Sequence, residues 1–170
     1  MAFVVEDGTG KADANSYSST TAADAYFLDR GITAWTGTPT EKEGWLVQAT
    51  DYIDARFGGR FISVPQYTEA PAQALEFPRV GIAGMPANLL KACAEYALRA
   101  KTAPLAPDLI VDETGWAVQG KKEKVGPIEE EVNYSVGQGI HQMLLRPYPA
   151  ADMLLRGLVR PLGSGKVIRN

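Results

Sequence analysis

Residues 38–57, TPTEKEGWLVQATDYIDARF, decide the fold, because they carry the clearest helix signal in the chain. Thr38 can cap the helix, Pro39 then takes the first helical position and Glu41 the third, which is the pattern of a capping box. Two glycines follow at 58–59 and predict the end of the helix, with glycine in the left-handed cap conformation.

One face of this helix is apolar. Its stripe recurs at spacings of three and four and consists of Leu46, Ala49, Ile53 and Phe57. Such a stripe has to pack against another element. Because the stretch carries no visible chemistry, we interpret it as scaffold.

Residues 87–103 supply the partner for that stripe. Pro86 opens this second helical pattern and Pro104 closes it, and its alanines allow another helix to approach closely. We therefore predict that the two helices pack against each other. The expected core scaffold residues are Leu46, Ile53, Phe57, Leu90, Cys93 and Ala97.

Weaker patterns predict the remaining elements. Residues 20–30 favour a first helix, capped by Ser19 or by Thr21 with Asp24, and residues 151–159 favour a short last helix. Residues 120–122 (GKK) predict the turn of a hairpin or a mobile arm, and the stretch 126–134 predicts a further strand.

These elements define a mainly α fold class: a small bundle of three to four helices, with extended β-like arms and a flexible C-terminal tail. We expect one domain overall. Within it, residues 1–132 form the helical part with an N-terminal arm and the hairpin, and residues 133–170 form a C-terminal arm, the short helix and a basic tail.

The composition is that of an ordinary globular protein. The 170 residues are 45% hydrophobic and 22% charged. The single cysteine excludes an intramolecular disulfide, and no apolar run approaches the roughly 20 residues that cross a bilayer. The opening MAFVVEDGTG lacks a basic region and a long apolar segment, so we expect neither a signal peptide nor a membrane partner.

Charge is distributed unevenly along the chain. Residues 1–115 hold nine Lys/Arg against fifteen Asp/Glu, a net −6, whereas residues 116–170 hold eight against five, a net +3. This asymmetry indicates a protein whose two ends meet different surfaces, although a chance clustering of solvated charges explains it as well. The basic residues toward the C-terminus are Arg146, Arg156, Arg160, Lys166 and Arg169.

Two residue pairs are candidates for catalysis. A dyad of Cys93 and His141 is possible in principle, but Cys93 falls on an apolar helix face, where a thiol behaves as a small hydrophobe. Asp51 and Asp54 share a helix face, where acids usually serve solvation. We therefore expect no catalytic residue and no enzyme activity.

Ligand motifs are equally sparse. The loop 7–13 lacks the alternating acids of a calcium loop, the segment GSGK at 163–166 is too short for a phosphate loop, and one His with one Cys cannot build a metal site. We expect no cofactor and no metal. Six aromatic residues could stack on bases, but they are not interleaved with basic residues, so core and interface packing is expected of them: Tyr17, Tyr26, Trp35, Trp45, Tyr52 and Trp116.

Several short motifs together resemble a family of tailed-phage and prophage proteins. They are AFVVEDGTG at 2–10, ANSY at 14–17, ADAYF at 23–27, ATDYID at 49–54, FPR at 77–79, MP at 85–86, ACAEYAL at 92–98 and VGPI at 125–128. The family is labelled DnaT-like single-strand-binding, and its members look like the head–tail connector, or neck adaptor, proteins of long-tailed phages.

The resemblance implies a structural virion protein. About twelve copies would form a ring between the portal protein and the tail or tail-terminator protein, with genomic DNA passing through the lumen without sequence-specific binding. The protein would be made in the bacterial host cytoplasm and reside in the virion neck, with the basic C-terminal residues facing the portal or the DNA. The alternatives are a single-stranded-DNA-binding replication accessory and a tail-terminator-type ring protein.

Overall fold

The computed structural model describes residues 2–107, 120–125, 128–133 and 147–161. Contacts along the chain divide it into two compact units, one of Met1–Leu105 with Pro147–Asn170 and one of Ala106–Arg146. The predicted parts 1–132 and 133–170 of one domain overall stay a prediction. Each unit is described by itself below.

The first unit begins with two helices: α1 spans Thr20–Leu28 and α2 spans Pro39–Phe57. α2 is the central helix, and its N-terminus is capped as the sequence predicts. Thr38 Oγ1 accepts from the Glu41 backbone N–H at 3.3 Å, and the Glu41 carboxylate accepts from the Thr38 N–H at 2.7 Å. The predicted left-handed glycine cap is wrong. Gly58 has a φ of −48° and continues into a single 3-10 turn, Gly58–Arg60, which turns the chain without a positive φ.

The predicted helix pairing is confirmed. α3 spans Ala87–Ala100, packs against α2 and ends before the predicted residue 103; the Arg99 carbonyl accepts from both the Thr102 and the Ala103 amides in the turn that follows. Leu90 differs from the expectation, because it is half-buried at the edge of the core. Fully or nearly fully buried in the core are Leu46, Ala49, Ile53, Phe57, Leu89, Cys93 and Ala97.

Two shorter helices complete the bundle. α1 is capped by Ser19, whose hydroxyl accepts from the Ala22 amide at 3.1 Å, and it ends at Leu28, before Gly31 with a φ of +63°. α4 spans Pro149–Leu155, whereas the prediction is 151–159. It starts earlier than predicted because proline fits the first helical turn, and it also ends earlier. In the described residues the fold is mainly helical, with four α-helices, which confirms the predicted class.

Extended segments of the first unit hold the loops against the helices. The chain makes single β-bridges between Val5 and Ser16 and between Pro65 and Arg79. Arg79 is 4% exposed, and its guanidinium donates to the carbonyls of Ile62 at 3.0 Å and Ser63 at 2.8 Å. A buried guanidinium therefore organises the loop between α2 and α3.

The second unit contains an antiparallel hairpin. β1 spans Gly120–Val125 and β2 spans Ile128–Asn133, with Gly120 opposite Asn133 and Val125 opposite Ile128. The predicted turn at 120–122 is wrong, because these residues lie inside β1. Gly126 and Pro127 stand between the strands in the sequence, and a Gly-Pro dipeptide is a stronger turn signal than one glycine with two lysines.

Candidate nucleic-acid interface

A groove lies where the C-terminal end of α2 meets the chain that follows α4. Its volume is about 440 Å³. Two Arg-x-x-x-Arg pairs reach it, one from each segment. The lining residues are Arg56, Phe57, Arg60, Asp152, Met153, Leu155, Arg156, Val159, Arg160 and Pro161.

Backbone hydrogen bonds join the two walls of the groove. The Arg160 amide donates to the Arg60 carbonyl at 2.8 Å, and the Ile62 amide donates to the Leu158 carbonyl at 2.9 Å. Between them, Phe61 and Val159 form an antiparallel bridge. These bonds link segments about a hundred positions apart in sequence and hold the two arginine pairs side by side.

The four arginines differ in how they are held. The Arg56 guanidinium forms an ion pair with Asp152 at 3.1 Å and lies 4.9 Å from the centre of the Phe57 ring. The Arg60 guanidinium donates to the Arg160 carbonyl at 3.1 Å. The side chains of Arg156 and Arg160 are exposed and form no ion pair with any other described residue.

Asp152 fixes the position of α4 against the bundle. One carboxylate oxygen accepts from the Tyr96 hydroxyl on α3, and the other accepts from Arg56 on α2 and from the Tyr148 amide at 3.2 Å. Burial and the bond to Asp152 raise the pKa of Tyr96 well above its ordinary value, so the phenol stays a donor. The groove therefore has a fixed wall on the α4 side.

The charge balance of the groove is positive. Of the residues that line it, four are arginines and one is an aspartate, a formal +3. The C-terminal end of a helix carries a partial negative charge, which arginines at the end of α2 offset. Because the whole chain has a formal charge of −3, the groove is a local exception to an acidic protein.

The predicted basic residues divide into two groups. Arg156 and Arg160 are brought together with two arginines that the sequence analysis did not select, Arg56 and Arg60. The missed signal was the spacing, since an Arg-x-x-x-Arg pair occurs both at the end of α2 and after α4. The other predicted basic residues lie outside the described residues: Arg146, Lys166 and Arg169.

The Cys93 thiol is packed inside the bundle. Its sulfur lies 3.5 Å from the Thr50 hydroxyl, and burial raises the pKa of Cys93 to about 11. A thiol of this kind stays protonated near neutral pH. His141, the other member of the candidate dyad, lies outside the described residues.

The expectation that Asp51 and Asp54 are both solvated surface acids is wrong for Asp54. Asp51 is exposed, but Asp54 is partly buried and accepts from the Tyr17 hydroxyl and from the Glu76 amide at 3.1 Å. Burial raises the pKa of Asp54 to about 6, although both hydrogen bonds oppose the shift. The carboxylate ties the N-terminal segment and the loop before α3 to α2.

The loop that superficially suggests a calcium site is held by a different interaction. The buried Glu6 carboxylate accepts from the backbone N–H groups of Gly8 at 2.8 Å, Gly10 at 2.9 Å and Lys11 at 2.8 Å. Within the described residues, no three His, Cys, Asp or Glu side chains are grouped to hold a metal ion. The segment 163–166 lies outside them.

The aromatic candidates pack in the bundle. Tyr17 and Trp35 are buried, and the Trp35 ring lies 5.6 Å from that of Trp45 at a steep angle. Lys101 lies 5.7 Å above the Trp45 ring and covers it. Trp116 lies outside the described residues.

A family model described as "Putative DnaT-like ssDNA binding protein" matches residues 1–170, so this small helical chain belongs to that family. The match confirms the family part of the resemblance, while the connector role stays a prediction. No curated protein and no solved structure matches the chain. No helix in the described part of the chain is long and apolar enough to cross a membrane.

Proposed function

We propose that this protein binds single-stranded DNA through the arginine groove and carries out no catalysis. The observation that carries the proposal is the convergence of four arginines from two distant segments on one groove with a single aspartate in its lining. Arginine contacts to phosphate dominate the affinity of proteins for nucleic acids. The family description supports the same ligand.

The four arginines would contact the strand in two ways. Arg156 and Arg160 are exposed and can each take a backbone phosphate. Asp152 orients Arg56, and the carbonyl of Arg160 orients Arg60, so these two lose little side-chain freedom on binding. A groove this small touches few phosphates, and we expect a dissociation constant on the order of 10⁻⁴–10⁻⁶ M at physiological salt.

Fluorescence anisotropy of a labelled oligothymidine, repeated over a series of KCl concentrations, tests the proposal. For single strands, each neutralised phosphate contributes about −0.7 to the slope of log affinity against log salt. The double variant R156A/R160A should weaken binding and reduce that slope by about 1.4, because two phosphate contacts are lost.

A charge-matched control comes from outside the groove. The double variant R30A/K91A also removes two positive charges, from residues that border a different cavity beside α1 and α3. It should leave the salt slope unchanged. Absence of binding at low salt, or equal effects of the two double variants, would contradict a groove-specific site.

A second candidate function is the head–tail connector of a tailed phage. The observation that favours it is the second unit, whose described residues form a two-stranded hairpin. A hairpin of two strands is marginally stable alone in water, which suits a segment that lends itself to a neighbouring chain. The short motifs that resemble neck adaptors point the same way.

In that role the protein would form a ring in the virion neck of a phage grown in a bacterial host. The ring would contact the portal protein on one side and the tail or tail-terminator protein on the other, and its arginine grooves would face passing DNA or an acidic portal surface. A tail-terminator-type ring protein would have the same assembly with a different neighbour.

Native mass spectrometry and virion composition separate these roles. A connector should assemble to a multiple of the 18.3 kDa chain, about twelvefold, and should be present in purified virions. Particles that lack it should have filled heads without joined tails. Its absence from virions would eliminate the connector and leave the strand binder.

A further inference from the structure

Resting on the proposed function, we propose that the groove holds one unstacked nucleobase of a single strand against Met153 and Val159, while the flanking phosphates pair with the arginines. The base contact would make the site discriminate a single strand from a duplex. Arginines alone cannot do this, because a duplex also presents phosphates.

The apolar part of the groove is the first reason. Besides the four arginines and one aspartate, the residues that line the groove are apolar: Phe57, Met153, Leu155, Val159 and Pro161. Met153 is 69% exposed, Val159 is half-buried, and Phe57, at 7%, also lines the groove, with the Arg56 guanidinium 4.9 Å from its ring centre. An exposed Met beside an apolar floor offers a flat ligand a polarisable surface, and sulfur contacts favourably with aromatic rings.

Size and charge select the occupant. The volume of about 440 Å³ falls in the range of small-ligand sites and suits a base with its sugar rather than a helix or a strand of a partner protein. The four arginines favour an anionic ligand, and the apolar residues of the groove favour a ligand that also has a flat apolar part. A nucleotide unit of a DNA strand meets both requirements.

The geometry also explains why a duplex should bind less well. In a duplex the bases are stacked and paired, so bringing one to Met153 requires it to be taken out of the stack, which costs a few kcal/mol. A duplex would therefore keep the arginine contacts and lose the base contact.

An abasic oligonucleotide tests the inference directly, because it keeps every phosphate and lacks the bases. The wild type should bind oligothymidine roughly two- to twelvefold more tightly than the abasic strand or a duplex, the range expected of a methionine–ring contact. Met153→Ala should bring the affinity for oligothymidine down to that for the abasic strand, with the salt slope unchanged. Met153→Leu, which keeps the apolar surface, should restore most of the preference.

Leu28→Ala is the matched control. Leu28 is 80% exposed on α1 and does not line the groove, so its removal should leave the preference for bases unchanged. Equal binding of oligothymidine and abasic strand by the wild type, with the dependence on Arg156 and Arg160 intact, would overturn the base contact alone. Loss of that arginine dependence would overturn the proposed function itself.

Discussion

The two ends of α2 differ in how they are completed. At its start, Thr38 and Glu41 bond each other within one turn, and Trp45 packs against Trp35 a few residues upstream. At its other end, Arg56 meets Asp152 within α4 and Arg60 meets Arg160 after it, about a hundred positions along the chain. The cap of the first, closed end is formed by near neighbours in sequence, whereas the second, open end becomes a groove only when a distant segment docks.

Under the proposed function, this difference separates the scaffold from the binding site. The closed end of α2 pairs its exposed polar groups with each other within one turn, and the middle of the helix buries its apolar groups in the bundle. Both stabilise the fold and leave little for a ligand. The open end gathers four arginines against one aspartate, and this net positive charge attracts an anion although the C-terminal end of the helix itself carries a partial negative charge. We expect substitutions in the first region to change stability and those in the second to change binding.

The largest effect should come from the middle of α2. Ile53 is fully buried, so Ile53→Asp places a carboxylate without a partner in the core. The desolvation cost is several kcal/mol, comparable to the whole stability of a domain. Circular dichroism should show no cooperative thermal melt, and the variant should lose DNA binding with its fold.

Ile53→Val is the control for this substitution. It removes one methylene group without adding charge and should cost about 0.5–1.5 kcal/mol. A melt of Ile53→Asp that matches the wild type would show that α2 and α3 do not pack through this residue.

Asp54 should give the next largest effect, through pH. Its folded pKa of about 6 lies above the ordinary 3.8, so folding disfavours the ionised form. Stability is therefore highest at low pH for this group and falls as the pH rises from about 4 to about 6, by up to ~3 kcal/mol. Urea unfolding at several pH values should show a smaller fall for Asp54→Asn than for the wild type.

Asp29→Asn serves as the comparison, because it removes an exposed carboxylate at the end of α1. It should leave the pH dependence of the wild type largely in place. If Asp54→Asn and the wild type lose stability in parallel across this range, the buried carboxylate is not the responsible group.

The cap at the closed end of α2 should contribute less. Thr38→Ala removes the hydroxyl that accepts from the Glu41 amide and should cost about 1 kcal/mol. For a chain of this length that lowers the melting temperature by roughly 2–4 °C. Thr40 lies two residues further along and is exposed, so Thr40→Ala should change the melting temperature less. Equal shifts for the two variants would argue against the cap.

The smallest effect on stability is expected at the open end. R156A/R160A removes two exposed side chains, and the free energy of unfolding should stay within about 0.5 kcal/mol of the wild type. The same variant should weaken DNA binding. A loss of stability comparable to that of Thr38→Ala would mean that these arginines belong to the scaffold.

Local rules made the closed end predictable from sequence. The cap at Thr38 needs three residues within four positions, and the stripe through Leu46 and Ile53 needs only helical periodicity. Ser19 was one of two possible caps, since Thr21 with Asp24 gives a similar pattern, and only the backbone geometry decides between them.

The groove could not be predicted in the same way. Arg56 sits on the polar side of the α2 pattern, and nothing nearby in sequence shows that it faces Asp152. The burial of Asp54 likewise depends on Tyr17 and Glu76, which reach it from separate loops. Contacts between distant segments leave no periodic signature, so they emerge only from the folded chain.

Hydrogen–deuterium exchange with and without a saturating oligothymidine tests the central claim most directly, because it locates the ligand on the protein. Peptides that cover residues 56–62 and 152–161 should exchange more slowly when DNA is present, and R156A/R160A should abolish that protection. Protection confined to α1 and the neighbouring part of α3, or none in either groove segment at saturation, would contradict a DNA site at the open end of α2.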